Sequence, residues 1–133
     1  MSPSSQGPPT WVDKALQVGS VVLALAIVGF SLGPAPDDPT FELSDKLIHG
    51  LAYFAQTLAV LLAWVGRPGR FTQPFQMAIS ATLVIVAGGM FIELAQSLVS
   101  RQTEALDALA NTLGAGLGLA LWSLLLRTSP KQS

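Results

Sequence analysis

Three groups of polar residues interrupt an otherwise apolar chain. The first is Asp45, Lys46, His49, Tyr53 and Gln56. The second is Glu93, Gln96, Ser97 and Ser100, with Arg101 directly after it. The third is Asp107 and Asn111. A buried carboxylate and a buried imidazole can divide acid and base roles between them. His49, Glu93 and Asp107 are therefore the candidate catalytic residues. Lys46 and Arg101 suit a phosphate or another anionic headgroup. With Asp45, Tyr53, Gln96 and Asn111 they form the candidate ligand-binding set. His49, Glu93 and Asp107 could also supply three ligands to a divalent metal. No H-x-x-x-H or similar pair accompanies them, so no metal or other cofactor is expected. No G-x-S-x-G and no Ser/His/Asp order appears. The chain has no cysteine, which removes thiolate nucleophiles, disulfides and thiolate zinc sites.

Each of these residues also has a plainer structural reading. Asp45, preceded by Ser44, is placed to cap a helix N-terminus or to sit in its first turn. Lys46 can snorkel to a membrane interface. His49 can be a hydrogen-bonded bundle histidine. Gln96 and Asn111 can be interhelical hydrogen-bond glue. Arg101 can be a counter-charge to Glu93 or Asp107, and Asp107 a first-turn acid. Tyr53, Trp11, Trp64 and Trp122 read as interface or packing aromatics. Glu93 is hardest to assign to structure alone, since an Ala or Leu would insert more easily. An acid near the bilayer centre costs about 2.5–3.5 kcal/mol on insertion scales.

The elements that must position these groups are marked by missing charge. Of 133 residues, 11% are charged and 50% hydrophobic, where a soluble domain carries roughly 25% charged residues. Four stretches lack Asp, Glu, Lys and Arg altogether: 15–36, 47–66, 71–92 and 108–126. About 20 apolar residues of helix span the roughly 30 Å hydrocarbon core. The expected fold is all-α, a polytopic bundle of four transmembrane helices near 13–33, 45–66, 74–99 and 105–127. A soluble bundle would need a charged stripe on each helix, and these stretches have none. Residues 1–12 and 128–133 read as tails, the first rich in Pro, Ser and Gly and expected to be disordered. Linker 34–44 holds three prolines and two aspartates and is expected to be a loop. The apolar part of the first helix, about 18 residues, exceeds the roughly 7–15 of a signal-peptide core, and no small-x-small alanine site follows it. It is expected to be retained, as a peripheral packing helix.

On these helices the polar groups form stripes. Asp45, His49, Tyr53 and Gln56 span an arc of about 80° at 100° per residue. Gly89, Glu93, Gln96, Ser97 and Ser100 fall within about 100°, and Asp107, Asn111, Gly114 and Gly118 within about 60°. His49, Glu93, Gln96, Arg101, Asp107 and Asn111 are all expected at one membrane edge. With four spans, the two termini and linker 67–73 share a side. That side holds Lys14, Arg67, Arg70, Arg127 and Lys131, while the other holds Lys46 and Arg101. The positive-inside rule then places both termini in the cytoplasm and the polar edge toward the periplasm or exterior. A net charge of −1 argues against a nucleic-acid partner.

The ordered set Asp45-Lys46-x-x-His49 with Tyr53, Glu93-x-x-Gln96, Arg101 with Asp107 six residues on, and Asn111-x-x-Gly114 with Gly118 resembles the VanZ-like family. The family is named for a protein associated with resistance to the glycopeptide teicoplanin. The resemblance covers about 44–122. It implies a small bacterial integral membrane protein of the cytoplasmic (inner) membrane and brings no established reaction. Gln102-Thr103-Glu104 departs from the more apolar filling expected after the Arg.

Two functional classes remain open at the level of sequence. One is an envelope-facing site that binds or acts on a lipid-linked or cell-wall-related anionic ligand, with the lipid bilayer as surroundings. The other is a non-catalytic membrane protein whose polar belt holds the helices together while an outer face binds a partner protein or alters the membrane. Whether the chain is an enzyme is open. A transporter would need an oligomer, because four short spans form a small pathway.

Overall fold

A computed structural model describes residues 11–33, 41–65, 74–98 and 105–128. These residues are helical throughout, apart from a bend at Gly33. Helix α1 runs Trp11–Leu32, α2 Phe41–Val60, α3 Pro74–Leu98 and α4 Ala105–Thr128. α2 continues into a π-helical turn over Leu61–Val65. All four are long and apolar enough to cross a membrane. Over the described residues the protein is a four-helix, all-α, multi-pass membrane bundle.

The distribution of side chains is inverted relative to a soluble protein. Among the described residues the buried polar or charged side chains number eleven and the buried hydrophobic ones seven. Large apolar residues such as Leu25, Leu83, Val84, Phe91, Leu113 and Leu117 stand exposed around the outside. Water cannot tolerate so continuous an apolar exterior. Lipid can, and it leaves the polar groups to face inward.

Packing centres on α2 and α4, which run parallel. A Cβ added at Gly114 would stand 2.9 Å from the Gly50 carbonyl carbon, and one at Gly118 would stand 2.8 Å from the Phe54 carbonyl oxygen. The two backbones touch, and only glycine fits there. This is the small-xxx-small packing that brings membrane helices together when no hydrophobic force does so. α1 lies on α2 and α3, and α3 also packs on α4.

The bundle has two unlike ends. At the end holding the α1 N-terminus, Leu61, Val65, Ala78 and Trp122 form an apolar core. Phe75 meets Trp122 edge-on, with ring centroids 5.8 Å apart. Trp122 is thus a packing aromatic, 1% exposed. Within a bilayer, Trp122→Ala forfeits packing and leaves a cavity, while the transfer term largely cancels because the reference state is also in hydrocarbon. The expected cost is about 2 kcal/mol, read as a lowered Tm of the full chain in detergent micelles. Leu125→Ala, on the lipid-facing side, should leave Tm nearly unchanged.

The structure corrects three boundaries. α1 starts at Trp11, inside the expected tail 1–12, with Asp13 in its first turn, where the helix dipole favours an acid. α2 starts at Phe41, inside the expected loop 34–44, so Asp45 is not a cap. The chain is already helical four residues earlier, and the amides a cap would satisfy lie before Asp45. α4 continues through Arg127, in its last turn, to Thr128. The expectations for 1–10, 34–40, 66–73, 99–104 and 129–133, Arg101 included, lie outside the described residues.

Candidate functional site

The end opposite the apolar core is polar. α1 and α3 arrive there at their C-termini, α2 and α4 leave it at their N-termini. His49, Gln96 and Asn111 are buried there, as are Glu93 and Asp107. Their burial follows from helix periodicity. Each stripe turns inward because its opposite face is apolar and is accepted by lipid, for example Leu47, Ile48 and Leu51 on α2.

Three contacts define this end. Nε2 of His49 lies 3.3 Å from Oδ1 of Asp45 one turn back along α2. The Phe30 ring of α1 leans over the His49 ring at 6.5 Å and 58°. Nε2 of Gln96 donates to the Ser31 carbonyl at 2.7 Å. That last bond satisfies one of the carbonyls that every helix leaves open at its C-terminus. Gln96 thereby ties α3 to α1, which fits a structural role for this residue.

Tyr53 lies one turn below His49. Its ring rests on Gly89 of α3, where an added Cβ would stand 2.9 Å from both Cε1 and the hydroxyl. Glu93 follows Gly89 by one turn on the same helix. On α4, Asp107 lies in the first turn. Asn111 follows four residues later, directly beside Ala110, whose carbonyl approaches Gly50 of α2. Oδ1 of Asn111 is fully buried and has no protein hydrogen-bond partner. The same is true of Oε1 of Gln56 and Oγ1 of Thr57, further along α2.

The groups form a layer rather than a single tight cluster. Among the described residues, no three His, Asp or Glu side chains converge closely enough to hold a metal ion. Lys46 is half-buried beside Asp45. Arg101 lies outside the described residues, as does the side chain of Ser97.

α1 takes a larger part than its sequence indicated. Besides the Phe30 contact and the buried Ser31, it buries Asp13 and Ser20 in its N-terminal half. There Nε1 of Trp64 approaches the Ser20 hydroxyl at 3.4 Å, and Nε2 of Gln17 the Ala63 carbonyl at 3.5 Å. Ala63 lies in the π-helical turn, whose altered register turns backbone groups away from the regular ladder. Asp13, Gln17 and Ser20 have offsets of four and three, the same spacing that marked the other stripes.

Fold and polar end together define the class of protein: a multi-pass membrane bundle with a buried polar layer at one edge. Comparison with known proteins returns no matching family model, no matching curated protein and no matching solved structure.

Proposed function

We propose that this is a VanZ-like protein of the bacterial cytoplasmic membrane. In this reading its termini are cytoplasmic and its polar end faces the envelope. That end binds, or acts on, a lipid-linked or cell-wall-related ligand with an anionic group. Asn111 is the observation that carries the reading. It is 4% exposed, and its carbonyl oxygen has no protein partner. A purely structural belt would satisfy its own members, because an unmet polar atom in hydrocarbon costs about 1–3 kcal/mol. Lys46 and Arg101 supply the cations for a phosphate or carboxylate. Asp45, Glu93 and Asp107 outnumber them, so the ligand also brings hydrogen-bond donors, such as hydroxyls. His49 and Glu93 are the groups placed to move a proton if a reaction occurs.

A second reading keeps the protein non-catalytic, with the polar layer as glue. The Gln96–Ser31 bond and the His49–Asp45 pair favour it for those residues. The two readings separate in His49→Gln and Glu93→Gln. Expressed in a glycopeptide-sensitive bacterial host, the unmodified chain is expected to raise the teicoplanin concentration needed to stop growth. Both variants should lose that effect at least tenfold while their membrane abundance stays within twofold. A parallel fall of abundance and effect would assign the residues to structure. An unmodified chain without effect would remove the link to glycopeptides.

A further inference from the structure

A cavity of about 140 Å³ lies between α1 and α3, with α2 as its back wall. Ala24 and Ile27 line it from α1, Gly88 and Ile92 from α3, and Tyr53 and Gln56 from α2. We propose that this slot holds one acyl chain of a membrane lipid whose headgroup lies in the polar end above it. The headgroup half of this statement rests on the function proposed above, whereas the slot stands on its own lining.

The first ground is depth. Ala24 and Gly88 lie in the middle thirds of α1 and α3, well inside the hydrocarbon core of a membrane that these helices span. The molecules available there to enter a side opening are lipid chains. A cavity of roughly 150 Å³ with apolar walls stays dry and takes up apolar ligands. The slot is of that size, the room of a few methylenes.

The second ground is how the slot is kept open. A Cβ at Gly88 would meet no atom within 4 Å. α1 and α3 are therefore not drawn together at this level by side-chain packing. The Tyr53 ring occupies the space against Gly89 and borders the slot from α2. A well-packed interior has few voids larger than a water molecule, and here the space lies on the lipid-facing side of a helix pair.

The third ground is continuity with the polar end. Gly89 and Glu93 are one turn apart on α3, about 6 Å along the axis, as are Tyr53 and His49 on α2. The top of the slot therefore adjoins the polar layer. An amphiphile with a short polar head and a straight chain matches that sequence of surroundings. The shared element is Tyr53, whose ring borders the slot and rests on Gly89, one turn from Glu93.

The test uses the full chain reconstituted in vesicles of equal dioleoylphosphatidylglycerol and dioleoylphosphatidylcholine, then extracted in mild detergent and weighed by native mass spectrometry. One phospholipid per chain should survive extraction, with phosphatidylglycerol favoured. Gly88→Leu and Ala24→Phe, which fill the slot, should reduce retention at least tenfold at unchanged Tm. A chain that retains no lipid, or retention indifferent to both substitutions, overturns the inference. Lys46→Gln reports on the headgroup alone: it should equalise the two lipids while one stays bound. Preserved selectivity in Lys46→Gln, together with lost retention in the slot variants, would keep the slot and remove the polar-end reading. If both slot variants melt early, the unmodified chain decides. Phosphatidylglycerol carrying a chain-terminal diazirine should label segments 24–28 and 85–92 preferentially. Labelling spread evenly over the lipid-facing helices would contradict the proposal.

Discussion

Gly114→Leu is expected to leave almost no folded protein, while Gly116→Leu, two residues away on the same helix, is expected to fold normally. The contrast isolates one contact. At Gly114 the first added carbon already stands 2.9 Å from the Gly50 carbonyl carbon, whereas at Gly116 it meets nothing within 4 Å. The obstacle at Gly114 is backbone, which cannot rotate away as a side chain does. α2 and α4 must separate, and the rest of their interface goes with them. Overpacking a core typically costs 1–3 kcal/mol. A backbone collision at the tightest helix pair belongs at about 3 kcal/mol or above on that scale. Both substitutions raise helix propensity equally, by about 1 kcal/mol, so propensity cannot account for a difference. The readout is the monodisperse fraction of extracted protein by size-exclusion chromatography. Equal yields would mean that α2 and α4 do not meet at Gly50.

Asn111→Leu should have opposite effects on stability and on function. Its Oδ1 is buried without a protein partner, so the native residue carries an unmet polar atom. Leucine has similar volume and removes that atom. The expected gain is about 1 kcal/mol, in keeping with the modest size of polar interactions measured between membrane helices. Tm in detergent should therefore rise. If the polar layer is a ligand site, the same change should abolish the glycopeptide effect or phosphatidylglycerol selectivity. Stability gained at the expense of activity is the recurrent signature of a functional site. A variant that is both less stable and inactive would place Asn111 among the residues that hold the bundle together.

Much of this architecture was legible in the sequence because lipid simplifies the code. A span needs about 20 apolar residues, and one helix lies across each of the four charge-free stretches over the described residues. Polar residues within a span must face inward, so helical spacing alone located His49, Tyr53, Gln56, Glu93, Gln96, Asp107 and Asn111. G-x-x-x-G at Gly114 and Gly118 marked a close helix contact, although not that its partner is the parallel α2 at Gly50 and Phe54.

The remainder depends on tertiary neighbours. Helix α2 starts at Phe41 rather than near Asp45, because prolines in a sequence signal a break without showing which residue begins the next helix. Nothing in Leu61–Val65 announces a π-helical turn, since its composition matches any apolar helix. Trp122, a residue type common at interfaces, is in the core because Phe75 and Ala78 of α3 meet it there. α1 read as peripheral because its contribution to the polar end comes from the Phe30 ring and a backbone carbonyl at Ser31. Backbone groups leave no mark on composition.

Orientation is the claim on which the envelope-facing site depends, and topology tests it directly. Paired alkaline-phosphatase and green-fluorescent-protein fusions after Arg70, after Thr103 and at Ser133 would sample both sides of the bundle. Phosphatase activity is expected only at Thr103, with fluorescence at Arg70 and Ser133. That pattern places His49, Glu93, Asp107 and Asn111 at the outer edge of the membrane. Phosphatase activity at Arg70 and Ser133, with fluorescence at Thr103, would put the polar end in the cytoplasm and contradict an envelope-facing site.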